Sequence, residues 1–204
     1  IIFSGVYFMA ESAAILNPDK KVVIPDPESG CAMSDMITAD SLRETKAKYP
    51  GVPVVTYVNS TAEVKAESTI CCTSSNVVEI VESLPDKRII MAPDRNLAAY
   101  VAKQVPDKEI LAWDGYCPIH QRLTIEYVEQ SRKAHPGAKL IAHPECPEDV
   151  IAQADYCVST SKMVEVCTQD PAEEFVLMTE CGMLNRLKKA LPHKKFYTLC
   201  SLCF

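Results

Sequence analysis

Apolar and polar positions along this chain change rhythm in a regular way. Short apolar runs such as VPVVTYVN (52–59) and AKLIAHPE (138–145) predict strands. Between such runs, NLAAYVAKQ (96–104) and MLNRLKKAL (183–191) carry apolar residues at helical spacing and predict amphipathic helices. Strands that alternate with helices in this way predict βαβ units and a parallel sheet, an α/β fold.

The rhythm also repeats. Cys117 follows Cys31 by 86 residues (117 − 31), and Cys203 follows Cys117 by 86 (203 − 117). A fixed period is the signature of a duplicated unit. Laying 32–117 over 118–203 sets Pro50 on Pro136, Tyr57 on His143, Asn59 on Glu145 and Ser74 on Thr160. In both copies an apolar run leads into hydroxyl residues, TSSN (73–76) or STS (159–161), where a helix is expected to start. A final short strand delivers Cys117 or Cys203. Residues 1–31 fit the tail of another copy: strand, turn, helix, then KVVIPDPESGC (21–31) delivering Cys31. The expected organisation is a partial first repeat domain (1–31), a second (32–117) and a third (118–203). A start without Met inside an apolar run, and an end one residue past Cys203, read as cuts in a longer protein.

Composition narrows the classes. The chain has 204 residues, 48% hydrophobic and 24% charged, as in globular proteins. No apolar run approaches the ~18 residues of a membrane span. The nearest, IIFSGVYFMAESAAIL (1–16), is broken by Glu11 and Ser12 and lacks the basic start of a signal peptide. A net charge of −6 with no basic block argues against a nucleic-acid partner and leaves room for a local anion site. Ten cysteines without a secretory signal argue for metal or redox use of some of them, in a cytoplasmic protein, rather than for a disulfide scaffold.

Ligands of parallel sheets gather at the carboxyl ends of strands. Tyr57, Asn59, Ser74, His143, Glu145, Thr160 and the three periodic cysteines all fall there. Three similar α/β units can pack around a pseudo-threefold axis, which would bring Cys31, Cys117 and Cys203 to one point. Three thiolates suit soft metals and iron–sulfur clusters. With three protein ligands, one metal position stays open for water or substrate.

The chain resembles the quinolinate synthase family. The resemblance rests on GVYFMAESAAILNPDKKVVIPD (5–26), GCAMSD (30–35), PVVTYVNSTAEVKA (53–66), CTSSN (72–76), PDRNLAAYVA (93–102), WDGYCPIHQ (113–121), HPECP (143–147) and TECGM (179–183). It implies three pseudo-symmetric αβα domains around a [4Fe–4S] cluster, here with the first domain incomplete. It also implies condensation of iminoaspartate with dihydroxyacetone phosphate to quinolinate, releasing phosphate and water, in de novo NAD biosynthesis. An aspartate oxidase or dehydrogenase would supply the iminoaspartate.

On this resemblance Cys31, Cys117 and Cys203 hold the cluster, whose free iron acts as a Lewis acid. Tyr57, Val58 and Asn59 line the substrate site, and Ser74 and Thr160 contact its anionic groups. His143, Pro144 and Glu145 complete it, with His143, Glu145 and Tyr57 as the catalytic groups. The family also has an earlier His-Asn-Tyr-Gln segment and a later Ser in its site, and a helix after the third cysteine; none is in this sequence. Cys200 is an extra cysteine beside Cys203, and the period selects Cys203.

Simpler readings cover other residues. Cys71, Cys72, Cys146, Cys157, Cys167, Cys181 and Cys200 are expected as inert packing. His120, three residues after Cys117, is expected beside the cluster rather than on it. Asp94, Arg95 and Glu180 either face the site or cap helices. Two other functions stay open: a cluster protein for electron transfer or redox sensing, and a catalytically inactive fragment.

Overall fold

A computed structural model describes residues 1–199, so Cys200 and Cys203 lie outside the described residues. The chain divides into two compact units, Ile1–Tyr116 and Cys117–Phe204. Both are α/β with all-parallel sheets, as the alternating pattern predicts.

The first unit opens with helix α1 (Tyr7–Leu16), flanked by a single parallel bridge between Ile2 and Val23. Full strands were expected on both sides of α1; one bridge is what forms. After a short 3₁₀ turn (Ser34–Met36) come α2 (Ala39–Lys48), β1 (Val54–Tyr57), α3 (Ala62–Ala66), β2 (Ile70–Cys72), α4 (Val77–Ser83), β3 (Arg88–Ala92), α5 (Arg95–Gln104) and β4 (Glu109–Ala112). The sheet order is β2-β1-β3-β4. β1 is buried along its whole length, which is why it reads VVTY rather than as an apolar–polar alternation. Val54, Ile90 and Ala92 face Leu42 of α2 and Val64 of α3 on one side. Val55, Ile89 and Met91 point to the opposite face, as period-2 alternation requires.

Local chemistry sets the helix starts. Thr38 and Ser41 form a reciprocal capping box on α2, with Ser41 N donating to Thr38 Oγ1 (3.2 Å) and Thr38 N to Ser41 Oγ (3.0 Å). Asp94 Oδ1 accepts from Leu97 N (2.7 Å) at the start of α5, and Glu180 Oε2 accepts from Gly182 N (2.7 Å) at the corresponding place in the second unit. Asp94 is thus the N-cap of its helix, while Glu180 stands one residue before the N-cap Cys181 and takes up a first-turn N–H. Ser74 sits in a turn, and α4 begins at Val77 with Asn76, the last residue of TSSN, as its N-cap, so the helix starts at this run as expected. Asn76 Oδ1 accepts from Thr73 N (2.7 Å), a side-chain turn that leads into the helix.

The second unit runs α6 (Pro118–Gln121), α7 (Ile125–Ala134), β5 (Lys139–Ala142), α8 (Glu148–Ile151), β6 (Tyr156–Cys157), α9 (Thr160–Gln169), β7 (Glu174–Met178), α10 (Gly182–Ala190) and β8 (Lys195–Thr198). Its order, β6-β5-β7-β8, is that of the first sheet. The registers also coincide under the 86-residue shift: Val55 pairs with Ile70 and Ile141 with Tyr156, while Thr56 pairs with Ala92 and Ala142 with Met178. Leu140, Ala142, Val176 and Met178 pack with Val128 of α7 and Val150 of α8. Ile141, Phe175 and Leu177 pack on the other face with Met163 of α9 and Leu187 of α10. The layers are thus α/β/α.

One pair of surface contacts is repeated with its charges exchanged. Arg88 Nε bonds Glu109 Oε2 (2.8 Å) across β3–β4, and Lys195 Nζ bonds Glu174 Oε1 (2.8 Å) across β7–β8. Arg88 and Glu174 occupy equivalent positions, as do Glu109 and Lys195.

Candidate active site

In the second unit the functional side chains come from three chain segments. Cys117 is the N-cap of α6, with Pro118 in the first turn, where a missing N–H costs nothing. Gln121 N closes that turn on Cys117 O (2.9 Å). His120 lies three residues after Cys117 and so shares its side of the turn. The second segment is HPE, directly after β5. His143 N extends the β5–β7 ladder to Met178 O (3.1 Å), and Cys146 N returns to His143 O (3.0 Å), which folds Glu145 back over the strand end. The third is Thr179, the residue after β7.

These residues meet in a buried cluster. His120, His143, Glu145 and Thr179 are all buried, none more than 6% exposed. His120 Nδ1 lies 3.0 Å from Glu145 Oε2 and Nε2 lies 2.9 Å from Thr179 Oγ1. The His120 and His143 rings stack at 4.9 Å with 20° between their planes. Glu145 N donates to His143 Nδ1 (3.3 Å). One ligand atom from each of Cys117, His120 and Glu145 falls within a 4.8 Å span.

The two stacked imidazoles do not both carry charge. Burial pushes His143 down to about 4, helped by the charge on His120 and only partly opposed by Glu145. At neutral pH it is uncharged, with Nδ1 accepting the Glu145 N–H, so its 3.6 Å approach to Glu145 Oε1 is not an ion pair. Burial acts the same way on His120, but the close approach of Cys117 and Glu145 outweighs it and raises His120 to about 10.

The first unit has matching positions and different chemistry. Tyr57 ends β1 beside Cys72 of β2, and Val58 N continues that ladder to Cys72 O (2.9 Å). Asn59 follows, with Ser60 Oγ tying the turn to Tyr57 O (3.0 Å). Ser74 lies two residues beyond β2. Tyr57, Val58, Asn59 and Ser74 therefore gather at adjacent strand ends, as do His143, Pro144, Glu145 and Thr160, the last being the first residue of α9. The lead-in to Cys117 is held within the first unit. Trp113 Nε1 donates to Met36 O (3.0 Å), and Gly115 is required because a Cβ there would lie 2.4 Å from Pro93 O.

The family model for quinolinate synthetase A protein matches residues 1–204. The chain belongs to that family. It is 57% identical over 196 residues to a quinolinate synthase of Pelobacter propionicus, covering 96% of this chain and 64% of that relative. It is 52% identical to the Alkaliphilus metalliredigens quinolinate synthase, over all of this chain and 68% of that one. It is 50% identical to quinolinate synthase 1 of Methanosarcina acetivorans, covering 98% and 65%. The chain thus spans about two thirds of the length of the curated relatives it matches. A solved E-1-hydroxy-2-methyl-but-2-enyl-4-diphosphate reductase from Plasmodium falciparum aligns over 88% of this chain and 59% of that one at 16% identity, with a TM-score of 0.39, too slight to bear on the fold.

The described thiols suit the cluster that this family implies. Cys31 and Cys117 are partly exposed. Burial raises Cys72 to about 12, Cys157 to about 12 and Cys167 to about 11, and it pushes Cys146 up as well, which makes all four poor thiolates. Cys146 instead donates to Met178 O (3.1 Å). Cys181, expected as inert packing, is disulfide-bonded.

Thr179 is the residue that sequence reasoning missed. TECGM marks the family, but attention there falls on Glu180. The position of Thr179 at the end of β7, beside the end of β5, was the available signal. Among the described residues, no helix is long and apolar enough to cross a membrane.

Proposed function

We propose that this chain takes part in quinolinate synthesis, joining iminoaspartate and dihydroxyacetone phosphate with loss of phosphate and water. The family relationship supports the reaction class. The observation that carries the reading is the buried His143–Glu145 pair at a strand end, beside Cys117 and His120. Cys31, Cys117 and Cys203 would hold a [4Fe–4S] cluster, which when bound would supply an open iron position as a Lewis acid.

The side chains divide the remaining work. Glu145, next to the cationic His120, is suited to take a proton from substrate carbon or nitrogen. An uncharged His143 with Nδ1 occupied offers an N–H that can hold a developing oxyanion without giving up charge. Tyr57 and Asn59 supply neutral hydrogen bonds from the first unit. Ser74 and Thr160 suit carboxylate or phosphate oxygens, Thr160 with the start of α9 behind it. The proposed compartment is the cytoplasm, where thiols such as Cys31 and Cys117 stay reduced. An aspartate oxidase or dehydrogenase is the proposed source of iminoaspartate.

Anaerobic reconstitution tests the reading. About four irons per chain and a broad charge-transfer band are expected, both lost in Cys117→Ala and Cys203→Ala and kept in Cys72→Ala. Quinolinate formation is measured on the same samples. A loaded chain that makes none favours a catalytically inactive fragment. A loaded chain that cycles electrons but ignores both substrates favours the electron-transfer reading.

A further inference from the structure

Cys31 and Cys117 lie in irregular backbone, the first just before the 3₁₀ turn and the second just before α6. Thiolates that share one metal site must stand at fixed separations. Loose backbone at either one would have to be ordered when the metal binds, at a cost in entropy. Here both stretches are already ordered, and one residue joins them. Met36 follows Cys31 by five residues, and Tyr116 immediately precedes Cys117. Trp113 Nε1 donates to Met36 O (3.0 Å), and Tyr116 N donates to Met36 Sδ (3.3 Å). A thioether is a weak acceptor, yet the amide it takes up is the last one before Cys117. Met36 also packs on Gly115, where an added Cβ would stand 3.3 Å from Met36 Cβ.

Each partner is itself held. Asp35 N donates to Cys31 O (3.1 Å) and Met36 N to Met33 O (3.1 Å), which closes the turn that leaves Cys31. Met33 and Ile37 are buried and root that turn in the core. Arg95 grips the other segment. Its N–H donates to Gly115 O (2.8 Å), and its guanidinium bonds Asp114 Oδ1 (2.8 Å) and lies over the Tyr116 ring at 4.5 Å. Residues 31–36 and 113–116 all belong to the first unit.

We infer that Met36 is a positioning residue for the metal site, tying the backbone that enters Cys117 to the turn that leaves Cys31 before any metal is bound. This rests on the ligand role proposed above for Cys31 and Cys117. The repeat separates the tie from a device that merely holds the sheet. Under the 86-residue shift Met36 falls on Arg122 and Trp113 on Leu199. Arginine has no acceptor and leucine no side-chain donor, so neither bond can form there. The second unit builds the same sheet without them.

The test uses the 204-residue chain, free of cluster, with cadmium ion as a probe of soft thiolate sites. Cadmium–thiolate absorption is expected in the wild-type chain and should drop in Cys31→Ala and in Cys117→Ala. Met36→Leu keeps the bulk and removes the sulfur acceptor, and Trp113→Phe removes the indole donor. Each should weaken cadmium binding at these thiols about 10-fold while the denaturation midpoint stays close to that of the wild type. Hydrogen exchange at the Tyr116 amide should quicken in Met36→Leu. In reconstituted chains, both variants should lose cluster iron to a chelator faster by a similar factor. Cadmium affinity unchanged in both variants, or absorption that survives Cys31→Ala and Cys117→Ala, would overturn the inference. Affinity that falls only in step with the midpoint would make Met36 a residue of the fold alone and overturn it as well. A wild-type chain that binds cadmium at these thiols but loads no cluster counts against the functional reading alone.

Discussion

The two units share a fold and differ in what they place at its working edge. Strand order, pairing register and α/β/α layering coincide position by position. At or just after strand ends, Tyr57, Asn59 and Pro93 in the first unit stand where His143, Glu145 and Thr179 stand in the second, and Ser34 of the 3₁₀ turn stands where His120 of α6 does. All four histidines of the chain belong to the second unit. One copy thus offers neutral hydrogen bonds and the other a buried proton-carrying set. A duplicated scaffold fixes positions in space and leaves each copy to fill them with different chemistry.

The largest effect that would sharpen this contrast is expected at Cys117, where the second unit starts. Cys117→Ala should abolish cluster loading and lower quinolinate formation about a thousandfold or more, the several kcal/mol that a Lewis-acid metal supplies. Iron analysis of the purified variant checks the first half directly. Next come Glu145→Gln and its counterpart Asn59→Ala. Glu145→Gln should cost about a hundredfold in rate and flatten the acid side of the pH profile. Asn59→Ala should lower the rate and leave that profile's shape intact. If both variants changed the shape, the division between a neutral and an ionisable copy would fail.

A third effect is on stability. His143 is held near 4 in the fold, below the ordinary value of 6.5. Between these values the unfolded chain binds more protons than the folded one, so stability is full above pH 6.5 and falls as pH drops toward 4. The loss is on the order of 3 kcal/mol over the window. Hydrogen exchange on the cluster-free chain at pH 6.5 and pH 5 should show protection weakening in the second unit more than in the first, and His143→Gln should remove the difference. The smallest effect concerns the exposed strand pairs. Arg88→Glu should lower the denaturation midpoint slightly, and Arg88→Glu with Glu109→Lys should restore it, because surface pairs contribute little in either orientation.

Much of this architecture was legible in the sequence because the period and the alternation of apolar runs are one-dimensional signals. The strands that end at Tyr57 and just before His143 fall where their apolar runs place them. Other features depended on local competition that the pattern does not display. The side chain of Asn76 holds residues 73–76 in a turn, and which residue of TSSN becomes the N-cap is decided by that bond rather than by the pattern. At Ile2 and Val23 the apolar runs gave one bridge instead of two strands. The meeting of His120 and Thr179 was not legible at all. It depends on the end of β7 reaching the first turn of α6; the spacing from Cys117 marks His120, but nothing in composition or spacing marks Thr179.

The exchanged charges on the two sheets bear on how the chain avoids misassembly. Because the sheets match in length and register, β4 could dock on β7 during folding, or β8 on β3, and each mispaired ladder would fit its backbone. The first error would set Glu109 against Glu174, and the second would set Lys195 against Arg88. Like charges directly opposite on neighbouring strands repel. The same four residues that contribute little to the finished structure therefore discriminate between right and wrong partners, which is where a protein built from two copies of one sheet is most exposed to error.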